Sequence, residues 1–393
     1  MLLDRTTDGR PRFLPRLCLA GFVALLCGLL PPRAAIAAEE PAPKGPAVEW
    51  HDVTGWGVEG RAWADEPRSR YFDRLPAAAE QAVPPAVWQL SRDSAGMVAR
   101  FTTDATAIHV RVKLLKADLA MPHMAATGVS GVDLYARDEK GDWRWVEVTR
   151  PVSRESEVLL VEGLAPGRRE YAAYLPLYNG VESLAIGVPA GASFEGIGPR
   201  DKPIVFYGTS ITHGACASRP GMAHVAILGR RLDRPVVNLG FSGNGRMDAS
   251  VGELLTRIDA ACYVIDCLPN MDAAQVRERC RPLVRRLREA RPAVPIVLVE
   301  DRRNTNAWIK PVRQAHHDAN HAALREAHAA LVKEGVGGLF SIEGDSLLGA
   351  DGEGTVDGSH PTDLGFMRQA DQFEPVLREA LRSASQRATS GAK

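Results

Sequence analysis

Beyond Leu30 the sequence has no apolar run long enough to cross a bilayer, which takes about 20 residues. Neither sign of charge is in excess, since 48 Lys and Arg face 48 Asp and Glu. That balance argues against the dominant basic patch that duplex DNA binding uses, so nucleic acid is not an expected partner. A fixed-period repeat, a heptad pattern and a collagen-like composition are all missing, which excludes solenoids, coiled coils and fibres. Cysteine is scarce, with six in 393 residues and no CxxC pair, a poor basis for structural zinc. What is present is 45% hydrophobic and 24% charged, the balance of a folded chain rather than a disordered one. At about 150 residues per domain, the length suggests two domains.

Residues 1–38 read as an export signal. Arg5, Arg10, Arg12 and Arg16 precede the uncharged run Leu17 to Leu30, and Ala35-Ile36-Ala37 offers small residues at a cleavage spacing. An uncleaved anchor is the competing reading, but Pro31, Pro32 and Arg33 end the run where a signal ends. The residues before Cys18 and Cys27 do not suit a lipoprotein signal. Cleavage after Ala37 removes five Arg and two acidic residues from the equal totals of 48, leaving −3. It also leaves Cys216, Cys262, Cys267 and Cys280. An exported protein can form disulfides, and four cysteines allow three pairings. Buried free thiols are the preferred expectation, because Cys262 sits in an apolar run and Cys280 on the apolar face of a helix.

A Pro-rich linker, 39–47, leads into a β-like region, 48–195. Ile108, Val110, Val112 and Leu114 alternate with His109, Arg111 and Lys113, as in a half-buried strand. Residues 131–136 and 143–148 flank a turn containing Gly141 and Asp142, a hairpin signal. Several short strands without long helical runs predict a β-sandwich. From 200 to 382 the pattern changes. Apolar runs at 204–207, 236–239, 262–266, 296–299 and 339–342 alternate with amphipathic helices. One of these carries Val276, Cys280, Leu283, Val284 and Leu287 at helical spacing. This is the pattern of a parallel sheet with helices on both faces, whose ligands sit at the carboxyl ends of the strands. Residues 383–393 read as a disordered tail.

Four segments stand at that edge: Gly208-Thr209-Ser210, the loop Gly240 to Gly245, Leu268-Pro269-Asn270, and Asp357-Gly358-Ser359-His360. Together they describe acyl transfer. A serine hydroxyl needs an adjacent base, which His360 can be if a carboxylate fixes its tautomer, and Asp357 is three residues away. The oxyanion formed by attack needs donors, and the Ser210 N–H, the Gly243 N–H and the Asn270 amide can supply three. Losing one such donor costs about 3–4 kcal/mol of barrier. Each segment alone is a turn or cap composition; their order and roles give them weight. The glycine loop lacks the lysine ending of a P-loop and the GxGxxG spacing.

Other residues carry weaker expectations. His213 is expected to pack or hydrogen-bond at the start of its helix rather than line a pocket. Arg246, Glu300 and Asp301 border strand ends and are candidates to shape the pocket. Cys216 reads as structural. His316, His317 and His321 cluster with Asp318, but without an HExxH glutamate a solvated helix face is preferred to a metal site. Trp143 and Trp145 share one strand face, suited equally to stacking on sugars and to packing.

The segment 202–380 resembles the SGNH/GDSL hydrolase family, whose four blocks supply Ser, Gly, Asn and His. They map onto Ser210 in YGTSITHG, Gly243 in NLGFSGNG, Asn270 in CLPNM and His360 in DGSHP, with Asp357 completing DxxH. The first block reads GTS rather than GDS, and the third lacks the usual following Asp. The segment Gly131-Val132-Asp133-Leu134-Tyr135 resembles the GxDLY motif of a β domain found in one branch of that family. The resemblance implies an α/β fold, a flavodoxin-like three-layer α/β/α domain preceded by a jelly-roll-like β-sandwich, and no required cofactor.

The expected function is an exported serine esterase, acetylesterase-like, acting on small acyl esters, with O-acetyl groups on carbohydrates as the expected substrate by family analogy. No metal and no stable membrane insertion after signal cleavage are expected. Two alternatives are a carbohydrate-binding or surface scaffold with a vestigial hydrolase half, and a lipase or thioesterase of the same family. The intact Ser, Gly, Asn and His set speaks against the first. The lack of a strongly apolar lid segment speaks against an interfacial lipase. A histidine base must be neutral, so activity is expected to fall on acidification through the usual histidine range, about 6.5.

Overall fold

The structure is a computed structural model and describes residues 47–390. The expected signal, 1–38, and nearly all of the expected linker lie outside the described residues.

The first half is strand-rich. Its strands are β1 (Val48–Asp52), β2 (Val98–Thr103), β3 (Ala107–Leu114), β4 (Asp133–Arg137), β5 (Trp143–Val148), β6 (Glu155–Glu162), β7 (Arg169–Tyr174), β8 (Val181–Pro189) and β9 (Phe194–Ile197). Two short helices interrupt them, α1 (Pro85–Ser91) and α2 (Ala126–Val129). The strands pair antiparallel in two sheets, β1-β8-β3-β6 and β5-β4-β7-β2-β9. The alternation anticipated in β3 holds: Ile108, Val110, Val112 and Leu114 are buried against Phe101, Leu134, Tyr171 and Ile186 of the core between the sheets. The β4–β5 pair is the hairpin expected from 131–148.

The second half alternates. It runs β10 (Ile204–Gly208), α3 (Ser210–His213), α4 (His224–Arg231), β11 (Val236–Gly240), α5 (Ala249–Thr256), β12 (Cys262–Asp266) and α6 (Ala273–Ala290). It continues with β13 (Ile296–Val299), α7 (Pro311–Lys333), β14 (Leu339–Ile342) and α8 (Asp363–Ser390). The five strands form one parallel sheet in the order β11-β10-β12-β13-β14. Both faces are covered, which is why these strands read as unbroken apolar runs. Ile204 and Phe206 pack with α4 and α8, while Val205 and Tyr207 pack with α5, α6 and α7. The face expected for α6 is buried, and the helix starts at a capping box between Asp272 and Gln275. This is the flavodoxin-like three-layer arrangement.

Two expectations need correction. Residues 61–93, placed by sequence in a β-like region, carry α1 and a 3-10 turn (Ala77–Gln81), and they pack largely on the α/β half. Trp63, Leu75, Val83, Val87 and Trp88 join the cluster of Phe241, Val251 and Leu254. The Trp63 indole donates to the Leu254 carbonyl at 3.2 Å. Their apolar surface is removed from water by a face far away in sequence. The helix α8 also runs to Ser390, into the stretch expected to be a disordered tail. Elongating an existing helix through Ala, Ser, Gln and Arg costs little.

Candidate active site

The four segments converge at the carboxyl edge of the parallel sheet. Ser210 opens α3 directly after β10, where the Thr209 hydroxyl accepts the Ile211 N–H at 3.3 Å. The neighbouring loop after β11 closes tightly onto it. A Cβ on Gly245 would lie 1.9 Å from the Gly208 carbonyl oxygen, so this loop depends on glycine for the approach. Gly243 has φ +69°, a left-handed conformation that favours glycine. Asn270 closes the short turn after β12, its N–H bonded to the Cys267 carbonyl at 3.1 Å. Ser210, Gly243 and Asn270 thus follow three adjacent strands.

His360 arrives from the turn before α8. Its Nε2 lies 2.8 Å from Ser210 Oγ, and its Nδ1 lies 2.7 Å from Asp357 Oδ2. Asp357 Oδ1 accepts the Ser359 and His360 N–H groups at 2.9 and 2.8 Å. Partial burial pushes the Asp357 carboxyl up, but the hydrogen bonds from the His360 ring and from these two N–H groups outweigh it and hold the group at about 2. An ionised Asp357 accepts the Nδ1 proton, which leaves Nε2 as the acceptor for the serine hydroxyl. The structure therefore brings together Ser210, His360 and Asp357.

Behind the site lies a buried polar frame. The Thr212 hydroxyl donates to Asp266 Oδ2 at 2.9 Å, and Arg302 clamps the same carboxylate with two bonds of 2.5 and 2.6 Å. His213 is fully buried, its Nε2 2.6 Å from the Leu177 carbonyl oxygen and its ring stacked on Tyr178 at 4.1 Å. Burial drives the His213 ring well below its ordinary value, with Arg74 adding to the effect, so it is a neutral packing residue.

The other candidates are drawn elsewhere. Arg246 is exposed, and its carbonyl accepts from Arg279. Glu300 and Asp301 are buried against α7, where Glu300 binds Arg325 and Asp301 meets His317 Nδ1 at 2.9 Å. His321 Nε2 bonds the Asp301 carbonyl at 2.7 Å. His317 and His321 are therefore buried, not on a solvated face, because the acidic end of β13 turns toward them. Among the described residues, no cluster of His, Cys, Asp or Glu is placed to hold a metal ion. Cys216, Cys262, Cys267 and Cys280 are free and buried, as expected. Burial pushes the Cys216 thiol up to about 11, with Asp357 adding to it, and Cys280 to about 12.

The sandwich meets this site at several points. Asp133 of the GxDLY segment is buried and accepts from Trp145 Nε1 (2.9 Å), Arg219 (3.0 Å) and the Gly221 N–H (2.8 Å). The Arg219 guanidinium also donates to the Tyr135 hydroxyl and lies over the Trp145 ring at 5.0 Å. The segment thus clamps the loop that follows the nucleophile helix. Trp143 and Trp145 belong to this junction; Arg137 covers the first at 4.4 Å. The β3–β4 loop brings the His123 ring within 6.3 Å of the His360 ring. Arg74 is buried and donates to the Asn238 and Gly240 carbonyls at 2.9 and 2.8 Å, below the glycine loop. Sequence reasoning missed Arg74, Tyr178, Asp266 and Arg302. Asp266 alone carried a local signal, an acid ending a buried strand.

This architecture, a parallel-sheet hydrolase half joined to a sandwich by the GxDLY segment, is that of an SGNH-type esterase. Residues 201–378 match the model of the GDSL-like lipase/acylhydrolase family, and residues 48–194 match that of the N-terminus of SGNH-hydrolase-type esterases. A GDSL-like lipase from Bacteroides ovatus is similar over 86% of this chain and 98% of its own, with 33% identity and a TM-score of 0.80. The chain belongs to the GDSL-like lipase/acylhydrolase family and is a carboxylic ester hydrolase. A salicylyl-acyltransferase from a tetracycline biosynthetic pathway shares the fold at 17% identity, with 84% and 97% of the two chains covered and a TM-score of 0.67. So does a family two carbohydrate esterase from Cellvibrio japonicus, at 13% identity, 86% and 99% coverage and a TM-score of 0.54. No curated relative matches the chain.

Proposed function

We propose that the protein is an exported serine esterase that removes small acyl groups, O-acetyl groups foremost, from carbohydrates. The observation that carries this reading is the continuous chain Ser210 Oγ, His360 Nε2, His360 Nδ1, Asp357 Oδ2, with links of 2.8 and 2.7 Å. His360 takes the proton of Ser210 as its oxygen attacks the ester carbonyl. The oxyanion is held by the Ser210 and Gly243 N–H groups and the Asn270 amide. Collapse of the intermediate breaks the ester C–O bond, His360 protonates the leaving alkoxide, and an acyl-serine remains. Water, deprotonated by His360, then releases the acid and restores Ser210. Asp357 stays ionised throughout and holds the ring.

Export is supported by the Arg-rich start and the uncharged run that follows it. The carbohydrate assignment draws on the fold shared with a carbohydrate esterase and on a sandwich loop that borders the site through His123. Two domains, 48–195 and 200–382, fit this reading, with the GxDLY segment as their clamp.

The test is acetate release from p-nitrophenyl acetate and from acetylated xylan or glucan by protein starting at residue 38, beside Ser210→Ala. Release that vanishes in the variant supports the reading. Release that persists in Ser210→Ala refutes the nucleophile, and a preference for long-chain acyl esters refutes the acetyl assignment.

A further inference from the structure

Tyr178 lies outside the segment that carries the hydrolase motifs, in the turn between β7 and β8 of the sandwich. Its side chain nonetheless reaches the candidate site. The hydroxyl shares a 2.7 Å hydrogen bond with Ser242 Oγ and lies 3.4 Å from the carbonyl oxygen of Ser210. Ser242 immediately precedes Gly243. One phenol thus touches the residue of the nucleophile and the residue beside the glycine donor. If its proton goes to the Ser210 carbonyl, the Ser242 hydroxyl can donate to the phenol. The short contact therefore survives either orientation.

The ring is fixed as well. Tyr178 is buried, stacks on His213 at 4.1 Å and 11°, and follows Leu177, whose carbonyl is bonded by His213. Its backbone N–H donates to the Val129 carbonyl at 3.0 Å. A ring stacked in place and anchored through its backbone can hold a loop; a mobile one could not. Gly243 needs such support. A Cβ there would meet nothing within 4 Å, so no packing holds this residue from its side-chain direction. Oxyanion donors act through preorganisation, and a donor on an unbraced loop loses that advantage.

We infer that Tyr178 is a positioning residue for catalysis: through Ser242 it holds the Gly243 N–H at its distance from Ser210, whose carbonyl the Gly214 and Ala215 N–H groups already fix at 3.0 and 2.9 Å. The sandwich is then part of the catalytic apparatus, not an attached module. This rests on the acyl-transfer reading of Ser210.

The test compares the wild type, Tyr178→Phe, Ser242→Ala, the double variant and Ser210→Ala as full-length mature protein on p-nitrophenyl acetate. Phe keeps the ring stacked on His213 and removes the hydroxyl alone. Both single variants are expected to lose about tenfold or more in kcat, with KM within about twofold, since the oxyanion contacts that this bond positions are made only in the transition state. The double variant should lose no more than either single one, as expected for one shared hydrogen bond. Thermal midpoints should stay within a few degrees of wild type. A Tyr178→Phe enzyme with wild-type kcat, or losses that add in the double variant, would overturn the inference while leaving Ser210 in place. A fully active Ser210→Ala would instead remove the reading beneath it.

Discussion

Replacing Asp133 by Ala removes the acceptor shared by three donors at the junction of the two halves. The side chain is fully buried, and the variant would strand the Gly221 N–H, the Trp145 indole N–H and one arm of Arg219. Breaking a buried ion pair from one side costs about 3–5 kcal/mol, and an orphaned buried donor about 1–3. Trp145 and Arg219 are partly exposed, so water can reach them, and the lower range applies: about 3–5 kcal/mol in total. For a chain of this size that is a fall of about 4–7 °C in thermal midpoint. Asp133→Asn should recover little. One carboxylate oxygen becomes an NH2 group, and whichever way the amide turns, a donor faces a donor. Burial pushes the Asp133 carboxyl up, and Arg219, Gly221 and Trp145 offset part of that, so the cluster's net worth is smaller than the cost of breaking it. The assay is urea unfolding followed by tryptophan fluorescence, with ester hydrolysis measured at a temperature where both proteins are folded. A loss below about 1 kcal/mol in Asp133→Ala would refute the clamp. A folded variant with collapsed kcat would show that the motif does more than dock.

Three further outcomes are expected. Asp357→Asn should lower kcat by about 10³–10⁴-fold, because the amide can hold the ring in the wrong tautomer; a loss under tenfold in steady-state assays would remove Asp357 from the triad. Asp357 is held at about 2, so it stays ionised as pH falls and takes a proton only near that value. The acid limb of kcat/KM against pH should thus carry no break from this carboxyl above pH 4. A second break above pH 4 would contradict this. The four buried thiols should resist a disulfide reagent in the native protein starting at residue 38 and react on unfolding. Fewer than four reactive thiols after unfolding without reductant would reveal a disulfide.

Much of this protein was legible in order along the chain. The five apolar runs became the five parallel strands because both sheet faces are covered, and a run covered twice has no polar side to show. The alternation at 108–114 became β3 because one face looks into the sandwich. The candidate segments around Ser210, Gly243, Asn270 and His360 could be picked out because strand ends and their loops lie next to each other in sequence, so chemistry placed there is written in short motifs. Asp357 and His360 needed one turn.

Other features became visible only when distant segments met. Trp63 and Trp88 sit in the strand-rich half by sequence yet seal the α/β half, since apolar surface is buried wherever a face is open. His317 and His321 looked like a solvated helix face until Glu300 and Asp301 turned toward them. The Asp133 clamp spans 88 residues to Gly221, and the Tyr178 contact spans 64 to Ser242. No local period encodes such pairs. They exist because closing the chain brings a donor and an acceptor into one dry space, where each is costly without the other. Strands, most helices and the candidate reacting groups are written locally along the chain. Which distant residues pack around those groups depends on how the chain closes.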